Sequence, residues 1–129
     1  MPVPILHIAK TDRTPKVAFD ALSGVLALEG RSIHRDPVVF YQPLCDWLDR
    51  YMEEPCHNTT FSVNFEYISS PSLSYISDLF IKMKKLVEYG HVVQVHWHYL
   101  EHDDEMKDLG KEYARLQGLP IQYVEIKDQ

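Results

Sequence analysis

From residue 60 onward the chain switches hydrophobic period segment by segment, and this alternation limits the fold more than any other feature. Phe61, Val63, Phe65 and Tyr67 alternate with Ser62, Asn64 and Glu66, the period-two pattern of a half-buried strand over residues 60–68. Leu73, Ile76, Phe80, Met83 and Val87, widened by Leu79 and Leu86, then fall at helical spacing up to Gly90. Val93, Val95, Trp97 and Tyr99 return to period two, opposite Gln94, His96 and His98. Met106, Leu109, Tyr113 and Leu116 trace another helical face that Gly118 ends, and residues 121–126 read as a last strand. Strands separated by single helices become parallel neighbours joined by right-handed crossovers.

The first half adds an antiparallel element. Two alternating runs, residues 16–22 and 25–29, flank Leu22-Ser23-Gly24 and predict a hairpin, with Gly30 ending its second strand. Asp36-Pro37 opens a helical region whose apolar face is Phe40, Leu44, Trp47, Leu48 and Tyr51. Pro43 predicts a break: a short first turn, then a main helix over residues 43–53. Ser70 and Pro71 read as N-cap and first position of the next helix. The predicted fold is α/β: one domain over residues 1–129, a mixed sheet of about five strands with an N-terminal antiparallel hairpin, and three main helices. Trp47, on a helix, and Trp97, on a central strand, belong to its core.

With 129 residues, 45% hydrophobic and 25% charged, the chain is long enough for its own core and too apolar for a disordered tail. Its net charge of -6 disfavours nucleic acid, whose phosphates call for clustered Lys and Arg. No apolar run reaches the ~18 residues of a membrane span, and residues 1–10 lack the pattern of a secretory signal. Cytoplasm is therefore the expected compartment. Two cysteines, Cys45 and Cys56, lack zinc-finger spacing and read as a buried thiol and a loop thiol.

Little in the sequence points to catalysis. His96 and His98 share one face of a strand, with His102, Asp103 and Asp104 nearby, but no metalloenzyme motif joins them, and the two acids suit a helix N-terminus. No metal or cofactor is expected. The five glycines form no phosphate loop, and no Gly-x-Ser-x-Gly elbow exposes a nucleophile. Arg31, His34 and Arg35 sit in the turn before the first helix. Ser69 and Ser70 occupy a strand-to-helix junction, where they read as turn and cap residues or as a phosphorylation switch. A phosphate there would lie near the positive end of a helix dipole.

Several strings together resemble the SiaC family of bacterial regulatory phosphoproteins. They are Thr14-Pro15-Lys16-Val17, Gly30-Arg31-Ser32, Phe40-Tyr41 with Pro43-Leu44, and Trp47-Leu48. The strongest is Trp97-His98-Tyr99 followed by Asp103-Asp104-Glu105-Met106, Gly110 and Tyr113. The resemblance runs from about Thr14 to Ile126. It implies a fold similar to the STAS, or anti-anti-sigma, domains and a non-enzymatic partner switch. A dedicated serine/threonine kinase and a metal-dependent phosphatase would set the state of one hydroxyl. The unmodified protein would bind and activate a diguanylate cyclase, linking it to cyclic-di-GMP and biofilm formation.

Residue by residue, the resemblance places Ser70 on the phosphoacceptor position, with Ser69 in place of an asparagine and Pro71 in place of a serine. Ser69 and Ser72 are the next candidates. His34-Arg35-Asp36 stands where the family tends to have Pro-Glu-Asn. Partner contact is accordingly expected at Arg31, His34, Arg35, Ser69 and Ser70. Two further readings are a STAS-like domain that binds a constitutive partner without a switch, and a small metal-binding protein built on His96 and His98.

Overall fold

A computed structural model describes residues 3–127. Its elements in chain order are β1 (Leu6–Ile8), β2 (Lys16–Asp20), β3 (Val25–Ser32), α1 (Pro37–Tyr51), β4 (Asn58–Ile68), α2 (Ser70–Glu88), β5 (Val92–Leu100), α3 (Asp104–Gln117) and β6 (Ile121–Ile126). The strands form one sheet in the order β1-β2-β3-β4-β5-β6. The pairs β1/β2 and β2/β3 are antiparallel, and β3/β4, β4/β5 and β5/β6 are parallel. Three right-handed crossovers stepping in one direction place all three helices on the same face. Burial follows: Leu26, Leu28, Phe61, Val63, Val95 and Trp97 turn toward the helices and are nearly inaccessible. Their strand neighbours Ala27, Ser62, Asn64, His96 and His98 face the uncovered side and are only half-buried or exposed.

The sheet has six strands where the periodicity predicts about five. The extra one, β1, is three residues long and too short to show alternation. Long-range contacts hold it: Leu6 pairs with Phe19, Ile8 pairs with Val17, and Trp47 Nε1 donates to Pro4 O at 2.6 Å. The predicted break at Pro43 is also absent, because α1 runs unbroken through it. Pro43 lies on the solvent side, so the carbonyl four residues back, on exposed Val39, can be hydrated. The buried stripe Phe40, Tyr41, Leu44, Trp47, Leu48 and Tyr51 keeps the helix on the sheet. Likewise β3 does not end at Gly30 but continues to Ser32.

The core is rich in rings. Trp97 packs beside Phe80, Phe65 and Tyr113, and Phe80 stacks on Tyr113 with centroids 4.8 Å apart. The Trp97 indole N–H donates to Met106 O at 2.9 Å. Trp47, also buried, lies between Phe19 and Tyr51. On α3 the buried seam is Met106, Gly110 and Tyr113, with Leu109 half-buried and Leu116 55% exposed. The predicted face, which included Leu116, is therefore rotated. Gly110 sets the rotation, since its missing side chain lets the helix backbone sit directly on the Trp97 indole. Val87, placed on the inner stripe of α2 by spacing, is likewise at its edge and 36% exposed.

Candidate functional site

The three serines of interest sit where β4 hands over to α2. Ser69 keeps an extended backbone (φ -73°, ψ 153°) because its N–H donates to Ser32 O at 2.9 Å, extending the β3–β4 contact by one step. Helical geometry starts at Ser70, so Ser69 is the N-cap and Pro71 the second helical residue, one step earlier than sequence spacing predicts. Proline is tolerated there because the first N–H groups of a helix have no partner within it. The first turn of α2 carries no acidic residue.

The serines differ in what their hydroxyls do. Ser72 is fully buried and its Oγ donates to Ser32 O at 3.2 Å. A hydroxyl has one proton. In the 3.0 Å contact between Ser69 Oγ and Ser72 Oγ, Ser69 is therefore the donor. Both hydroxyls are engaged in joining α2 to β3. Ser70 is exposed, and among the described residues no side chain bonds its hydroxyl. Of the three, only Ser70 can be modified without breaking a hydrogen bond of the fold.

Behind this junction lies a polar chain with no signature in the sequence. Ser32 Oγ and Tyr41 Oη are 2.6 Å apart in the core, and Tyr41 stacks on Tyr75 of α2. Burial pushes the Tyr41 phenol up to about 12, the Ser32 hydrogen bond opposing it, so the ring stays neutral. Tyr113 Oη donates to Leu73 O at 2.9 Å and so ties α3 to the first turns of α2.

The basic residues are divided between two surfaces. Arg31 is paired in register with Tyr67, and both are exposed on the uncovered face, opposite in direction to buried Ser32. The cause is a bulge: Gly30 pairs with Phe65 and Arg31 with Tyr67, leaving Glu66 as an extra residue on β4. The extra residue turns Tyr67 away from the core, where strict alternation would place it, and leaves it 56% exposed. His34 instead lines an open cleft of about 560 Å³ with Arg13, Thr14, Val39 and Phe40. Its Nδ1 accepts from Asp36 N–H at 2.8 Å, and Asp36 occupies the N-cap of α1 without capping through its side chain. Arg35 is exposed in the same turn.

Arg13 belongs to a turn that sequence reasoning passed over. Thr11 Oγ1 accepts from the N–H groups of Arg13 and Thr14, and Arg13 O accepts from Ile33 N–H at 2.9 Å. The spacing Thr11-x-x-Thr14 in a polar run was the available signal. The structure thus gathers Arg13, His34, Ser32, Ser69 and Ser70 at one end of the sheet and sends Arg31 to the other face.

The remaining candidates have structural explanations. His96 and His98 stand side by side on the uncovered face, and His98 Nδ1 lies 3.0 Å from Val63 O. Among the described residues, no group of three His, Cys, Asp or Glu is placed to hold a metal ion. Asp103 caps α3, its Oδ1 accepting from Met106 N–H at 3.1 Å. Cys45 is half-buried rather than buried, since it lies at the margin of α1, within reach of Lys82 and Asp78 of α2. Cys56, in its loop, donates through Sγ to Ala21 O at 3.1 Å. No helix among the described residues is long and apolar enough to cross a membrane.

Comparison with known proteins agrees with this geometry. Among solved structures, apo-SiaC from Pseudomonas aeruginosa matches with a TM-score of 0.85 at 21% identity, over 94% of this chain and 98% of that one. The structure of the diguanylate cyclase SiaD in complex with its activator SiaC, from the same organism, matches with a TM-score of 0.87 at 21% identity, over 94% and 99%. An uncharacterized protein of Pseudomonas aeruginosa strain UCBPP-PA14 is 22% identical over 116 residues, 90% of this chain and 92% of that protein. The family model described as SiaC family regulatory phosphoprotein matches residues 8–126, nearly the whole sheet and all three helices, and the chain therefore belongs to the SiaC family of regulatory phosphoproteins.

Proposed function

We propose that this protein is a non-enzymatic, cytoplasmic partner switch that binds and activates a diguanylate cyclase in its unmodified state and is released by phosphorylation at Ser70. Membership in a family of regulatory phosphoproteins supports the modification, and the SiaD–SiaC complex supports the class of partner. The observation that carries the site is the contrast among three serines: Ser69 and Ser72 are hydrogen-bonded into the β3–α2 junction, and Ser70 is free at the surface. A serine/threonine kinase would add the phosphate and a metal-dependent phosphatase would remove it.

The physics of the step favours a change in binding over a change in fold. A phosphate on Ser70 adds about two negative charges beside the positive end of the α2 dipole, in a first turn free of acids. The helix tolerates that charge. A partner surface that desolvates it without supplying a counter-charge does not, because an unpaired buried charge is costly. Arg31, His34 and Arg35 are assigned to the partner-facing surface on the same reading, with Arg31 contributing from the uncovered sheet face.

The test is a set of three proteins titrated against the purified cyclase partner. Ser70→Ala should bind like the unmodified parent and resist the kinase. Because Ser70 is the first helical residue and not the cap, the substitution should change stability by no more than about 0.5 kcal/mol. Ser70→Asp should keep the melting temperature within a few degrees and bind more weakly than the parent, though less weakly than the phosphorylated protein, because Asp carries less charge than phosphate. Equal phosphorylation of Ser70→Ala and parent would remove Ser70 as acceptor and leave Ser69 or Ser72. Equal binding by the phosphorylated and unmodified parent would instead support a constitutive STAS-like binding domain.

A further inference from the structure

Strand β5 sets two imidazoles on the face of the sheet that no helix covers. His96 and His98 are two residues apart, so their side chains leave the same face about 6.5–7 Å apart along the strand. Their neighbours across the ladder are Ser62 and Gln122 beside His96, and Asn64 and Val124 beside His98. None of the four carries a charge. No lysine or arginine in register repels a cation there, and no carboxylate in register competes for the imidazoles.

Sequence spacing shows only that the two rings share a face; the structure adds the state of their nitrogens. His98 Nδ1 lies 3.0 Å from Val63 O. A carbonyl oxygen can only accept, so Nδ1 carries the proton, and in the neutral ring Nε2 keeps a free lone pair. A histidine that binds metal is ordinarily held in this way, its other ring nitrogen donating to a carbonyl or carboxylate. His96 has no hydrogen bond or ion pair among the described residues. These nitrogens are also within reach of solvent. Among the described side chains, His91 Nδ1 is the one buried nitrogen or oxygen without a hydrogen bond, so the unbonded nitrogens of half-buried His96 and His98 are not buried.

We propose that His96 and His98 chelate a divalent cation of the copper, nickel or zinc class. Imidazole nitrogens suit these metals, whereas magnesium and calcium call for oxygen ligands. His98 Nε2 and one nitrogen of His96 hold the ion. Among the described residues no third His, Cys, Asp or Glu is placed to join them, and Asp103 Oδ1 is bonded to Met106 N–H, so water completes the coordination. Two protein ligands make an exchangeable site, unlike a structural zinc centre closed by four. Affinity for such ligands rises toward copper, so Cu²⁺ binds tightest. The net charge of -6 favours the approach of a cation. The proposal requires nothing of the Ser70 switch and adds a ligand to the binding module, not an activity.

The full-length ¹⁵N-labelled protein is titrated with Zn²⁺, and in separate calorimetric titrations with Zn²⁺, Cu²⁺ and Mg²⁺. Zn²⁺ should give saturable shifts centred on the amides of His96, Trp97 and His98 and on their neighbours Ser62, Asn64 and Gln122. Cu²⁺ should bind at least tenfold more tightly than Zn²⁺, and Mg²⁺ should leave the spectrum unchanged. His96→Gln and His98→Gln should each weaken Zn²⁺ at least tenfold while keeping the remaining spectrum, because one imidazole cannot chelate. His102→Asn, at an exposed bend with φ 71° that asparagine tolerates, should bind as the parent does. Long-range ¹H–¹⁵N spectra of the metal-free protein should show the His98 proton on Nδ1, and Zn²⁺ should shift Nε2. Unchanged affinity in either Gln variant, shifts centred on other histidines, a metal-free His98 protonated on Nε2 alone, or Mg²⁺ binding as well as Zn²⁺ would overturn the proposal.

Discussion

Gly110→Ala is a sensitive test of how α3 is held to the sheet. In an exposed helix the change would stabilise by about 1 kcal/mol, since alanine is the better helix former. Here a methyl group at position 110 would lie 2.7 Å from Cδ1 and Nε1 of Trp97 and 2.8 Å from Cγ. Non-bonded carbons rest about 3.5–4.0 Å apart, so roughly an ångström must be opened. The indole has little freedom to give way. Phe65, Phe80 and Tyr113 surround it, and its N–H is bonded to Met106 O on the same helix. Overpacking of this kind costs about 1–3 kcal/mol, and loss of the indole hydrogen bond adds about 1 kcal/mol. After the propensity gain, the net loss should be about 1–3 kcal/mol. Urea denaturation followed by tryptophan fluorescence and by far-ultraviolet circular dichroism measures it. The second arm is a double-mutant cycle with Trp97→Phe, which removes the contacted Nε1 and the five-membered edge that carries it and should cost less in the Gly110→Ala background than in the parent. A Gly110→Ala protein as stable as the parent, or a Trp97→Phe cost that does not depend on residue 110, would refute the contact.

The remaining predictions concern the polar chain behind Ser70. Ser72→Ala should lose about 1–2 kcal/mol in urea denaturation, because Ser69 Oγ loses its acceptor and Ser32 O a donor, and the kinase should still modify the protein at Ser70. Tyr41→Phe leaves the buried Ser32 hydroxyl without its partner and should cost about 1–3 kcal/mol by the same assay, with the far-ultraviolet spectrum unchanged. Stability should also fall in alkali: Tyr41 titrates near 12 in the fold and near 10 when unfolded, so its contribution is intact below pH 10 and lost between 10 and 12. From Tyr41 alone the drop between pH 9 and pH 11 should be about 1.4 kcal/mol, with Tyr113, also raised by burial, acting in the same direction.

What the sequence revealed and what it hid divide along the range of the interactions involved. The alternation of period from Thr60 to Ile126 is a local property, and it placed α2, β5, α3 and β6 with their order and their parallel pairing. β1 carries no such signal, because three residues cannot show a period. Its place at the sheet edge depends on Phe19, Val17 and the Trp47 indole, all distant in sequence. Tyr67 was assigned inward by alternation and lies outward because of one extra residue, Glu66, whose cause is the pairing with Gly30 and Arg31 on another strand. The break predicted at Pro43 weighed one missing N–H against an isolated helix, but in the fold the freed carbonyl is at the surface and the opposite side carries the packing.

The candidate site follows the same division. That a serine near Pro71 begins a helix is written in the local sequence. Which serine caps, which is buried and which is free depends on one distant carbonyl. Ser32 O accepts both the Ser69 N–H and the Ser72 hydroxyl, and by holding those two it leaves Ser70 as the exposed member of the three. The same carbonyl belongs to the strand that carries Arg31 outward and precedes the turn carrying His34 and Arg35. Fixing Ser70, the proposed phosphoacceptor, and fixing the basic residues are therefore one structural event, the continuation of β3 past Gly30. A change that ends β3 early, at Gly30 where the sequence alone would have ended it, should disorder both together, and a change at Ser70 should disturb neither.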